Sequence, residues 1–268
     1  MLNIKRYAEQ QSEYLILNQR MLDYARPPIT EAVIEIRMNN IVDQDVLKKI
    51  AGKLNKNYYP DKKENIEINF SLAFNPKDGK QESSVQPKQT GYRLASVDQT
   101  EIAIIAPQVL TIARLAPYPG WDKFYERMAF AWKIWKRIVK VQDINRIGIR
   151  YINRIDIPVN EFQNISIMDY LNFYPNAPIF SGFPMTDYLI QVTIPTPNPL
   201  WIANITSFIH QPPVLVDTIS LVLDIDIYNT EKVPLDDKGL ISRLEEAREL
   251  KNLVFKQCIT SKTEELLN

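Results

Sequence analysis

Three arginines and two aspartates are the residues of this chain whose spacing suggests chemistry. Arg146, Arg150 and Arg154 recur at every fourth position in the stretch Asn145 to Ile157. On a strand, alternation puts them on one face with Gly148, Ile152 and Asp156. Ile147, Ile149, Tyr151, Ile155 and Ile157 fall on the other face, with Asn153 as the polar exception. A guanidinium row of this kind could grip phosphates or carboxylates. The plainer reading, a cross-strand ion ladder on a half-exposed sheet, is favoured. Asp224 and Asp226 share a face with Ser220 and Tyr228, and two carboxylates at i and i+2 of a strand lie about 7 Å apart. They could contribute to a Mg²⁺ site or, if the two strands are neighbours, pair with Arg150 and Arg154. The pairing is favoured here too. A metal-dependent nuclease would also want a nearby lysine, and the one tidy pattern, Glu249-Leu250-Lys251, falls on a helix.

Other chemistries lack their residues. The chain has one histidine, His210, and one cysteine, Cys258, whereas a zinc site takes three or four nitrogen or sulfur ligands. His210 closes a strand with no nucleophile motif beside it, and Cys258 on a last helix turn reads as a small buried side chain. The seven glycines are scattered singly, so neither a phosphate-cradling loop nor a dinucleotide fingerprint is present. No catalytic residue, metal ligand or cofactor is expected. Lys133, Lys136, Arg137 and Lys140 could touch phosphates, but a solvated helix face is the commoner arrangement. Trp121, Trp132 and Trp135 share a helical stripe and read as core rather than a stacking platform.

The elements that must position these residues are legible in outline. Ala32 to Met38, Asn65 to Phe74, Gly91 to Val97, Glu101 to Ala106 and Val109 to Leu115 read as strands. Asp43 to Asn57 and the segment from Trp121 to Val139 read as helices. The polar run Asn75 to Gln89 reads as a loop. The second half reads as a strand from Asn145 to Ile157, a short helix from Ser166 to Asn172, and a Pro- and aromatic-rich loop from Phe173 to Met185. Strands follow from Tyr188 to Ile194, Trp201 to Ile209 and Val214 to Tyr228, then a helix from Asp236 to Cys258, capped by Asp236 or Asp237. The order predicts an α+β fold of two β-α-β(3-4)-α repeats, a curved antiparallel sheet with long helices. It is similar to the TATA-binding-protein-like and helix-grip class. The halves are 21–140 and 141–268, one compact two-repeat unit, with 1–20 as an N-terminal extension.

The bulk numbers narrow the partner. Thirty-two basic residues balance thirty-two acidic ones, which argues against a nucleic-acid binder driven by net charge. The lone cysteine fits a reducing compartment. No apolar run approaches the roughly 18 residues of a membrane helix, and Met1 to Arg20 lacks the apolar core of a signal peptide. A cytoplasmic protein without membrane contact is expected.

Tyr24 to Arg37 (YARPPITEAVIEIR), Arg114 to Tyr118 followed by Trp121, Arg146 to Ile155 (RIGIRYINRI), and the closing Phe255 with Ile259-Thr260 are distinctive as a set. Together they resemble a sporadically distributed family of prokaryotic conserved hypothetical proteins with no assigned reaction, over about residues 21 to 260. The patchy distribution implied by that resemblance suggests accessory genes, such as phage-defence or toxin–antitoxin loci. Met21 is then a second plausible start. Three functions follow in order of preference: a non-enzymatic interaction protein acting on a protein partner; a nucleic-acid or nucleotide binder using exposed, unpaired Arg146, Arg150 and Arg154; and a small-ligand binder with a cavity lined by Trp121 and Trp132. Asp224 and Asp226 complete the candidate binding set. The oligomeric state is left open.

Overall fold

A computed structural model describes residues 24–74, 81–159, 165–176, 185–211, 213–231 and 233–268, of which 66–74 and 81–88 are described as backbone only. The fold is α+β, with nine strands paired antiparallel and four helices among the described residues. The chain divides into two compact units.

The smaller unit comprises the described residues of 35–114 and 119–144. It holds β2 (Asp61–Phe74), β3 (Gln81–Ala95), β4 (Glu101–Ala106) and β5 (Val109–Leu115), in that spatial order, followed by the C-terminal half of β1 (Ile29–Met38). Helices α1 (Gln44–Asn55) and α2 (Trp121–Ile138) complete it. Helix α1 starts where the Asp43 carboxylate accepts from Val46 N–H at 2.8 Å, satisfying a donor the first turn leaves open. Its stripe Leu47, Ile50, Ala51 and Leu54 is buried, as are Trp121, Phe124, Met128, Trp132 and Trp135 of α2, and α1 packs on α2 and β3. Glu101 joins strand to helix: one carboxylate oxygen accepts from Arg114 at 2.9 Å and the other from Arg127 at 2.8 Å. The Arg127 guanidinium also lies 4.0 Å from the Tyr58 ring centroid.

The larger unit comprises the described residues of 1–34, 115–118 and 145–268. Its strands are the N-terminal half of β1, then β6 (Ile144–Pro158), β9 (Thr218–Asn229), β8 (Ile202–His210) and β7 (Leu189–Pro195), in that spatial order. Helix α3 (Asp237–Cys258) packs on β9. Leu240, Leu244, Ala247, Leu250 and Phe255 are buried on α3, as are Leu221, Leu223, Ile225 and Ile227 on β9. The Asp236 side chain caps α3 by accepting from Gly239 N–H at 2.8 Å. Trp201 Nε1 donates to Glu246 Oε2 at 3.1 Å, so the polar end of a fully buried indole is satisfied by the helix above it. A short α4 (Ser261–Leu267) follows.

Several expectations are corrected. Residues 81–89, read as loop, belong to β3, which pairs with β2 from Asp61↔Ala95 to Phe74↔Gln81; residues 75–80 lie outside the described residues. The Ser166–Asn172 helix shrinks to a 3₁₀ turn at Ile167–Asp169, because seven residues with a β-bridge at Leu171 cannot propagate an α-helix. Strand β9 begins at Thr218 rather than Val214, after exposed Val214, Leu215 and Val216. The expected extension 1–20 and loop residues 177–184 lie outside the described residues.

Candidate functional site

In the larger unit α3 covers one sheet face, and the other carries the arginines and aspartates. β6 and β9 are neighbours, with Arg150 opposite Asp226 and Ile152 opposite Asp224. Arg150 nevertheless reaches diagonally: its Nε donates to Asp224 Oδ1 at 2.8 Å, and its Nη2 donates to Asp224 Oδ2. This hydrogen bonding, with the nearby charges of Asp226 and Glu31, holds the Arg150 guanidinium still further above its ordinary range. Asp226 accepts instead from Arg146 Nη2 at 2.9 Å. Gly148 makes this possible. It has no side chain between the two arginines, and Tyr228 lies directly across from it, with its ring 4.8 Å below the Arg146 guanidinium. A Cβ at residue 148 would sit 3.0 Å from the Tyr228 Cβ, so glycine leaves the space for this stack. Arg154, expected to pair with one of the two aspartates of β9, donates instead to Asp156 on its own strand at 3.0 Å, and Asp156 accepts from Ser220 at 2.6 Å.

The structure thus brings all five candidate residues onto one face and joins four of them in two pairs, Arg146 with Asp226 and Arg150 with Asp224, while Arg154 pairs with Asp156. A polar pocket of about 160 Å³ lies there, lined by Arg150, Asp224 and Asp226 together with Gln191, Asn204 and Thr206. The last three were missed in the sequence, although alternation in Ile202–His210 puts Asn204 and Thr206 on one face. Asn204 Oδ1 accepts from Gln191 Nε2 at 3.1 Å, tying β8 to β7.

β7 closes the strand order of this unit, and its two faces differ. Gln191 and Thr193 stand opposite Thr206 and Asn204 on the polar side. Val192 and Ile194 stand opposite Ile205 and Ala203 on the helix side. There a groove of about 320 Å³ runs between β7 and α3, lined by Ile194, Ala203, Leu250, Leu253, Val254 and Gln257 among others. Ile209 N–H donates to Tyr188 C=O, and Thr196 N–H donates to Trp201 C=O. In this register the even-numbered residues of β7 direct their backbone groups toward β8. The backbone groups of Leu189, Gln191, Thr193 and Pro195 therefore point outward. Pro195 occupies a position where the missing N–H costs no ladder bond.

The remaining candidates are less reactive. Trp121 and Trp132 are buried in the smaller unit, and neither lines a described pocket. Burial pushes the Cys258 thiol up to about 12, which leaves it unionised and a poor nucleophile. His210 is half-buried at the end of β8. Among the described residues no group of three or more His, Cys, Asp or Glu side chains could hold a metal ion, and no helix is long and apolar enough to cross a membrane. No protein-family model matches the chain, and no curated protein matches it significantly.

Proposed function

We propose that this chain is a non-enzymatic interaction protein that accepts an extended segment of a partner protein along the outer edge of β7. The observation that carries this reading is the parity of β7: the backbone donors of Leu189, Gln191 and Thr193 face away from β8. An added strand could satisfy them by main-chain hydrogen bonds. Its alternate side chains would then enter the groove over Ala203, Leu253 and Val254 or lie beside Gln191 and Thr193. A phosphate ligand of the arginine face would have to displace Asp224 from Arg150 and Asp226 from Arg146, which favours the protein partner over a nucleic acid or nucleotide. The two units are further read as structural repeats, each offering a strand, further antiparallel strands and a long closing helix. A cytoplasmic role in a phage-defence or toxin–antitoxin locus would suit such a module and rests on the family resemblance.

The test is backbone amide exchange of the full chain, alone and with a library of nine-residue peptides alternating apolar and polar residues. Binding peptides should slow exchange at Leu189, Gln191 and Thr193. Protection confined to other strands would overturn the reading. So would tight binding of a single-stranded oligonucleotide that is lost in Arg150→Ala while the β7 amides stay open.

A further inference from the structure

We propose that the strand best suited to the β7 edge is β7 of a second copy of this chain, paired antiparallel about a two-fold axis through Val192. This rests on the edge-docking reading above and names its occupant.

Charge is the first argument. The strand reads Leu-Ile-Gln-Val-Thr-Ile-Pro from 189 to 195 and carries no charged residue. Open edges are commonly blunted by lysines, inward-pointing charges or bulges, and β7 has none of these apart from its terminal proline. A partner recognised by charge would find nothing to read along this strand. A second copy would meet no like charge at the symmetry axis.

Pattern is the second. About Val192 the sequence is nearly palindromic: Ile190 faces Ile194 of the second copy, Gln191 faces Thr193, and Leu189 faces Pro195. Apolar residues on the helix side meet apolar residues, and the two amide and hydroxyl side chains meet each other. An isologous interface requires such self-complementarity.

Backbone parity is the third. The outward-facing groups belong to the odd-numbered residues, and a two-fold through Val192 opposes odd with odd. Gln191 and Thr193 of the two copies would exchange both N–H···O=C bonds, and Leu189 N–H would reach Pro195 C=O. Pro195 falls at the end of the ladder, where its missing donor costs least.

A two-stranded ladder is marginal in water by itself, and the groove supplies what it lacks. The same axis duplicates Ile194, which is 41% exposed, and the partly exposed Leu253 and Val254 of α3. The two copies would therefore close over one another's apolar rims and remove this surface from water.

The experiment is sedimentation velocity of the full chain across a wide concentration range, with the variants Val192→Lys and Thr193→Pro and the control Val216→Lys. Val192→Lys puts two ammonium groups at the axis and should weaken dimerisation roughly 100-fold or more. Thr193→Pro removes an outward-facing backbone donor and the Thr193 hydroxyl's 3.4 Å hydrogen bond to Asn204 Oδ1, leaves the backbone ladder to β8 in place, and should have the same effect while the far-UV circular dichroism stays that of the wild type. Val216, 89% exposed in the connection between β8 and β9 and outside β7, should be neutral. A wild-type dimer that both β7 variants leave intact would overturn self-pairing. A monomeric wild type whose β7 amides are protected by a peptide would also overturn it while leaving edge docking standing. A monomeric wild type whose β7 amides no peptide protects would remove both.

Discussion

The Lys251 ammonium nitrogen lies 4.3 Å from the centroid of the Tyr151 ring, on the buried side of α3. Only 8% of Lys251 is exposed. None of the ion pairs among the described residues includes it. Tyr151 shares its hydroxyl hydrogen bond with Tyr118 at 2.9 Å, and Arg248 stands nearby, paired with Glu245. Burial, reinforced by the positive charge of Arg248, pulls the Lys251 amine down to about 7.

The pH dependence follows with a definite sign. A lysine that titrates at about 7 when folded and at about 10.4 when unfolded binds more protons in the unfolded state between those values. Its cost to stability is full below about pH 7 and fades as the pH rises toward 10. Above pH 10 the trend reverses, because burial raises the Tyr151 phenol and the folded state then holds a proton that the unfolded state has lost. Lys251→Met should raise stability at pH 7 by on the order of 2 kcal/mol or more. The gap to wild type should narrow steadily up to pH 9.5. Urea unfolding at several pH values measures it, and a constant gap would show that Lys251 keeps its ordinary titration.

Arg150 and Asp224 give a second prediction. The arginine side chain is 50% exposed but its carboxylate partner only 12%. Arg150→Ala would therefore leave a largely desolvated carboxylate unpaired, at a cost of about 1–2 kcal/mol after allowance for the exposed guanidinium. Adding Asp224→Asn should recover part of that loss. Lys133→Ala, on the exposed side of α2, should change stability by less than about 0.5 kcal/mol. Equal, negligible effects of Arg150→Ala and Lys133→Ala in urea unfolding would remove the arginine strand from any structural role.

How far these residues can be read in the sequence depends on which interaction decides each feature. Local signals carry well: Asp43 and Asp236 cap their helices, and the Trp121, Phe124, Met128 and Trp135 stripe is core. Alternation correctly puts Arg146, Arg150 and Arg154 on one face. It does not say that Arg146 reaches Asp226 while Arg154 turns to Asp156, because a diagonal choice depends on the gap at Gly148 and on Ser220 across the ladder. Residues 81–89 mislead because a polar run containing Pro87 shows no period; long-range pairing with β2 makes it a strand. Helix α4 escapes notice because it is only seven residues long and begins at a threonine cap with little apolar stripe before it. The exposed edge of β7 is a property of strand order, which periodicity does not encode.

Two glycines of the smaller unit should respond in opposite directions to the same substitution. Gly91 lies in β3 at φ +150°, beside the register shift at Asn65/Ile66. A Cβ there would sit 2.0 Å from the Ile105 carbonyl oxygen. That contact is with the backbone of the neighbouring strand, which cannot swing aside as a side chain would. Gly91→Ala must therefore either push β3 off β4 or flatten the local twist, and it should cost about 3 kcal/mol. Gly52 lies within α1, where a Cβ would meet nothing within 4 Å. Gly52→Ala restricts the unfolded chain and fits the helix, so it should stabilise by about 0.5–1 kcal/mol. Thermal and urea unfolding of the two variants checks both signs. A Gly91→Ala protein as stable as wild type would mean that the β3–β4 ladder does not approach as closely as the Ile105 carbonyl requires.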